Sequence, residues 1–159
     1  MRRPIKNAFA KYDYNCFGCS PTNEIGLQLQ FYETDDCIET QWTPAKEYEG
    51  YPGAVHGGII STLIDEVAAW VMYIKAGCAG VTSRMSIRYR KPTPSYKGTL
   101  SLKGKIKETK RNLCYIDVQL FNSDNEICAE GEVIYFLFSK EKSIEECYYP
   151  EDYNSFFEE

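Results

Sequence analysis

Hydrophobic and polar positions change period along the chain, and the changes mark out its elements. LQLQFYE (27–33) alternates apolar and polar residues, the period of a half-buried strand. Asp35-Asp36 breaks the pattern, and CIETQWTP (37–44) resumes it until Pro44, which predicts a first hairpin. Residues 45–55, with Gly50, Pro52 and Gly53, read as a loop. From Ile59 to about Ala76 the period becomes helical: Ile59, Ile60, Leu63, Ile64, Val67, Ala68, Val71 and Met72 fall into i, i+4 rows. Ala69, Trp70, Tyr73 and Ile74 widen that stripe, so the helix is expected to be covered on most sides, and Gly77 and Gly80 end it. Four strand-like runs follow at 81–91, 99–109, 113–121 and 126–138, separated by turn-forming residues. The prediction is an α+β fold, an antiparallel sheet of about six strands wrapped around one long central helix. It occupies residues 27–138, between an N-terminal arm and loop (1–26) and an acidic, aromatic C-terminal tail (139–159). The tail is expected as a short helix, a flap or a disordered segment, with its five aromatics against full disorder.

Composition narrows the setting. A chain of 159 residues fits one domain with one core, and 43% apolar with 14% aromatic residues argues against disorder. No apolar run approaches the roughly 20 residues that span a bilayer. MRRPIKNAFAKYDYNC lacks the apolar core of a signal peptide, so the expected compartment is the cytoplasm. Seven scattered cysteines suit reduced thiols better than a disulfide framework. Cys16 and Cys19 form a lone CxxC without the second pair of ligands that a structural zinc site uses, so they read as thiols packing an N-terminal loop and no metal is expected. The net charge of −5 argues against a nucleic-acid partner. The segment from Arg84 to Arg111 is nevertheless basic, and either holds an anionic small ligand or forms a solvated face.

Candidate chemistry gathers at the start of the helix. Val55-His56-Gly57-Gly58 contains the only histidine and the only Gly-Gly pair, and Asp65 follows the histidine by nine residues. First-turn amides of a helix lack intrahelical partners and carry partial positive charge. Glycines let a ligand oxygen approach them, so an acyl carbonyl held there would be stabilised as charge develops on its oxygen. His56, just outside the helix, suits orientation of the glycine loop or the ligand more than direct chemistry. A carboxylate on so apolar a helix is costly to bury unpaired, which marks it for acid/base work. The residues alone favour Asp65 over the adjacent Glu66 only slightly.

At these positions the chain resembles the hot-dog-fold acyl-CoA thioesterases, specifically the phenylacetyl-CoA-thioesterase-like branch. The resemblance covers about residues 16–138 and rests on CFGCSPTNEIGL, YPGAVHGG, the acid nine positions after the histidine, and GVTSRMSIRYRKPTP. It implies a sheet curled around one helix and a homodimer, or a homotetramer of two dimers, with sites at the subunit interface. The amide of Gly57 or Gly58 would then polarise the thioester carbonyl, and Asp65 from the partner subunit would be general base or nucleophile. Thr82 would help place the water. The resemblance, not the spacing, selects Asp65 over Glu66. Members often carry Asn, His or Gln six to eight residues before the histidine, where this chain has Tyr48-Glu49-Gly50; Glu49 is the residue available to substitute.

The expected reaction is hydrolysis of an acyl-CoA to a free acid and coenzyme A, with no metal or cofactor in the chemistry and no membrane partner. Arg88, Arg90, Lys91, Lys110 and Arg111 are the candidates for the coenzyme A phosphates. The rivals are a hydratase or dehydratase on the same fold, with His56 as its base, a non-catalytic acyl-CoA binder, and a scaffold.

Overall fold

A computed structural model describes residues 1–157. Seven strands form one antiparallel sheet: β1 (Arg2–Ile5), β2 (Phe31–Thr34), β3 (Cys37–Trp42), β4 (Gly80–Tyr89), β5 (Leu100–Lys110), β6 (Leu113–Phe121) and β7 (Ile127–Leu137). Their order across the sheet is β1-β2-β3-β5-β6-β7-β4. The long helix α1 (Gly57–Val71) runs on through a π-helical turn, Met72–Ala76, to Gly77 in the left-handed conformation (φ 71°). A short helix, α2 (Lys140–Cys147), follows the last strand.

The core lies between α1 and the inner face of the sheet. In β6, Cys114, Ile116, Val118 and Leu120 point inward and are almost fully covered, while the residues between them face outward. Leu63, Ile64, Val67, Ala68 and Val71 of α1 meet them. Gly104 and Gly131 bring the helix close to the sheet. A Cβ at Gly104 would stand 2.9 Å from Val67 Cγ1, and one at Gly131 would stand 2.7 Å from Ile64 Cγ2. With Gly57–Ala76 counted together, the helix is long and apolar enough to cross a membrane, contrary to the expectation that no such run exists. Its apolar residues are instead among the most deeply covered in the molecule.

The structure departs from the sequence pattern at both ends. The arm is more than a loop, because Arg2–Ile5 pairs with Phe31–Thr34 and adds a seventh strand. Residues 27–30 alternate correctly but lie outside the ladder. Gln28 is left-handed (φ 51°), and the amides of Leu27 and Leu29 donate to the carbonyls of Phe17 (2.7 Å) and Gly18 (2.9 Å) in the arm. The tail packs on the far end of α1. Phe156 is fully buried beside Trp70 and Phe9. Tyr149 and Tyr153 donate to the carbonyls of Tyr73 (2.8 Å) and Ile74 (3.2 Å), satisfying oxygens that the π-helical turn exposes.

β4 closes one edge of the sheet, and nearly all of its ten residues are exposed, Val81, Met85 and Tyr89 among them. A long, exposed edge strand is a template for another strand.

Candidate active site

His56 is the N-cap of α1. Its Nδ1 accepts the amide of Gly58 at 2.8 Å, and its carbonyl accepts the amides of Ile59 and Ile60. The Gly58 amide is therefore already used. Among the described residues no acceptor meets the Gly57 amide, so Gly57 presents the free donor of the helix start. Tyr89, at the end of β4, closes over this turn. Its hydroxyl donates to the Gly57 carbonyl (3.0 Å) and lies 2.7 Å from Ser61 Oγ.

Asp65 lies eight residues into α1, facing β4 and β7. Thr82 Oγ1 donates to its Oδ1 at 3.0 Å, and the Tyr135 hydroxyl donates to the same oxygen at 2.8 Å. Thr82 and Tyr135 are direct partners across the β4–β7 ladder, so one cross-strand pair grips one carboxylate oxygen. The register shifts immediately after Thr82, where a bulge locally re-aims β4. No donor among the described residues meets Oδ2, which leaves it available to a proton. Tyr135 is buried, and burial together with the Asp65 charge raises its pKa, so it stays a protonated donor. Sequence reasoning missed Tyr135. Its signal was a hydroxyl on the inward face of an apolar strand, which has to find a partner.

Glu66 faces elsewhere. It meets Cys16 and Cys19 of the arm and accepts from Trp70 Nε1 at 3.2 Å, and burial pushes its carboxyl up to about 7. The proximity of the two thiols lowers the pKa of Cys16 and, with burial, raises that of Cys19.

Glu49 lies near the helix start but accepts from Ser95 Oγ at 2.5 Å, which ties its loop to the segment after β4. Gly50 packs directly on His56: a Cβ there would stand 3.1 Å from the histidine Cα. The basic candidates do not form one cluster. Arg90 pairs with Glu130 (2.6 Å) and Lys91 with Glu126 (2.7 Å), both at the Tyr89 end of β4. Lys110 pairs with Glu108 (3.2 Å) beside the β5–β6 turn, where Arg111 is left-handed (φ 55°). That turn adjoins the opposite end of β4, since the Leu137 amide donates to the Asn112 carbonyl and Leu137 pairs with Gly80. Arg88 and Arg111 form no ion pair among the described residues. A groove lies on the outer face of the sheet, lined by Arg88, Lys103, Lys105, Glu130 and Glu132 among others, and contains none of the helix-start residues.

Within one chain the two candidate groups are separated. Eight residues at 1.5 Å each put the Asp65 carboxylate about 12 Å along the helix from the Gly57 amide, too far for both to touch one carbonyl.

The family model of the thioesterase superfamily matches residues 52–129, which include the helix start, Asp65 and Thr82. Among solved structures, a thioesterase superfamily protein is 27% identical with a TM-score of 0.70. The match covers 76% of this chain and 59% of that protein, so the chain spans under two thirds of its length. A hypothetical thioesterase from Streptococcus pneumoniae, solved with coenzyme A, is 26% identical (TM-score 0.62; 67% of this chain, 84% of that one). A thioesterase superfamily protein from Shewanella loihica is 28% identical (TM-score 0.60; 70% and 91%). No curated protein matches the chain. Seven antiparallel strands around one long helix give this chain a hot-dog fold, and from the helix-start loop into β7 it is similar to the thioesterase superfamily.

Proposed function

We propose that the protein is an acyl-CoA thioesterase of the phenylacetyl-CoA-thioesterase-like type, acting as a homodimer paired through β4. The observation that carries this reading is the Asp65 carboxylate, held on one oxygen by Thr82 and Tyr135 and open on the other. A free amide at Gly57 stands too far along the same helix to serve the same carbonyl. Antiparallel pairing of β4 with its copy lays the Thr82 end of one strand against the Tyr89 end of the other. Asp65 of one copy then approaches Gly57 of the other, and the exposed Val81, Met85 and Tyr89 of the edge are covered.

In that arrangement the thioester oxygen accepts from the Gly57 amide, aided by the helix dipole. Asp65 Oδ2 takes a proton from water, whose oxygen bonds to the acyl carbon. The tetrahedral intermediate collapses by breaking the carbon–sulfur bond, and the departing sulfur receives the proton from Asp65. The products are the free acid and coenzyme A, and the carboxylate is regenerated. Arg88 and Arg111, free of acidic partners, are proposed to meet the coenzyme A phosphates. The coenzyme A bound to the pneumococcal relative supports an acyl-CoA substrate.

The test offers short, long and aromatic acyl-CoAs to the purified protein, with a thiol reagent reporting released coenzyme A. Binding without thiol release would overturn hydrolysis, and turnover unchanged in Asp65→Asn would overturn the assignment of the base. In a single turnover in ¹⁸O-water, label appearing in Asp65 rather than directly in the product acid would identify attack by the carboxylate itself.

A further inference from the structure

Glu66 has no part in the proposed reaction. It is next to Asp65 but about 100° further around α1, which turns it away from β4 and toward the arm. There it meets the lone CxxC: Cys16 Sγ lies 3.6 Å from Glu66 Oε1, fifty residues away in sequence. The two sulfurs and a carboxylate oxygen all lie within 4.8 Å of one another. Zinc binds sulfur at about 2.3 Å and carboxylate oxygen at about 2.0–2.2 Å, so tetrahedral ligand atoms stand about 3.5–3.8 Å apart. Cys16 and Glu66 already stand at that spacing, and Cys19 Sγ lies within 4.8 Å of both.

The surroundings hold these groups in place. The Ser20 amide donates to the Cys16 carbonyl at 3.1 Å, closing a turn around CFGC. The bonds from Leu27 and Leu29 to Phe17 and Gly18 fasten that turn to the chain before β2. Gly18 is pressed onto the carboxylate so closely that a Cβ would come within 2.5 Å of it. Trp70 Nε1 orients the carboxylate, as outer partners of metal ligands do. The Tyr14 hydroxyl lies 3.8 Å from Cys19 Sγ, and Asn7 bonds both Tyr14 and the Cys19 carbonyl. Among the described residues no lysine or arginine pairs with Glu66. Three potential anions are thus gathered in a partly buried place without a cation, and two thiolates with a carboxylate are a donor set for a thiophilic divalent ion.

We propose that Cys16, Cys19 and Glu66 bind a zinc-class divalent cation that clamps the N-terminal arm to α1. Binding replaces two S–H bonds with metal–sulfur bonds and releases the two protons to solvent, with no change in oxidation state. One coordination position is left to solvent. The sequence alone pointed the other way because the third ligand comes from α1 rather than from a second CxxC.

The test measures metal in protein purified without chelators or an affinity tag, then titrates metal-free protein with cobalt(II). The expected results are about one zinc-class ion per chain and a cobalt complex with thiolate charge-transfer and tetrahedral visible bands, displaced by zinc. Cys16→Ser with Cys19→Ser abolishes the charge-transfer band, and Glu66→Gln weakens binding at least about tenfold. Asp65→Asn keeps the ion, so failure of the thioesterase reading and failure of this one are distinguishable. Protein without metal that gives no cobalt spectrum would overturn the proposal. So would a charge-transfer band that survives the double serine change, or a disulfide joining Cys16 to Cys19 in freshly purified protein. Should the serine variant not fold, alkylation of the intact protein decides: zinc protects Cys16 and Cys19 selectively, and equal labelling with and without zinc refutes the site.

Discussion

The separation of Gly57 from Asp65 predicts that two inactive variants restore activity to each other. Gly57→Pro removes the free amide at little cost to the helix. Proline suits the first helical position, and His56 already holds the extended conformation a residue before proline prefers (φ −58°, ψ 136°). A Cβ at this position meets nothing nearer than the Tyr89 ring at 3.7 Å. The loss of one such donor is expected to cost about 10²–10³ in kcat. Asp65→Asn keeps an acceptor oxygen for Thr82 and Tyr135 but no longer takes a proton, which is expected to cost about 10²–10⁴. If each site takes Gly57 from one chain and Asp65 from the other, a mixed dimer has one intact site and one doubly defective site. Random subunit exchange makes about half the dimers mixed, so mixing two nearly inactive proteins should restore about a quarter of wild-type thiol release. Exchange is verified with differently tagged chains and native mass spectrometry. Verified exchange with no recovery would refute the argument and place both groups in sites within a single chain.

Other predictions follow from neighbouring contacts. Tyr135→Phe removes one of two donors to Asp65 Oδ1; at about 1.5–3 kcal/mol for a bond to a charged group, kcat should fall about ten- to a hundredfold with KM little changed, as read from saturation curves. His56→Ala removes the helix cap and should lower stability by about 1 kcal/mol, or about 2–4 °C in Tm, while thiol release stays measurable; complete loss of activity in a folded variant would favour a histidine base. Gly131→Ala drives a methyl to within 2.7 Å of Ile64 and should cost about 1–3 kcal/mol in denaturant unfolding, whereas insensitivity would show that α1 can shift away from the sheet.

Hydrophobic period was enough to set the element order from β2 through β7, because α1 and the central strands bury one face and the sequence has to record which. It missed β1, since Arg2–Ile5 is exposed and joins the sheet through backbone hydrogen bonds that leave no side-chain pattern. It placed β2 too early for a related reason: residues 27–30 alternate like a strand, but their amides go to the arm. The helix start was readable as a candidate site, since first-turn amides beside glycines lie open to a ligand oxygen. Which amide stays free was not, because that depends on His56 folding back onto Gly58.

Asp65 and Glu66 mark the boundary most sharply. Adjacent acids on one helix look alike in sequence, and only the resemblance to known thioesterases separated them. The tertiary structure gave each its own surroundings, with Thr82 and Tyr135 closing on Asp65 and two thiols and an indole closing on Glu66. The sequence by itself determined that two carboxylates sit on a buried helix. What each faces was decided by strands and loops far away in the chain, because a step of about 100° around a helix directs neighbouring side chains to different walls.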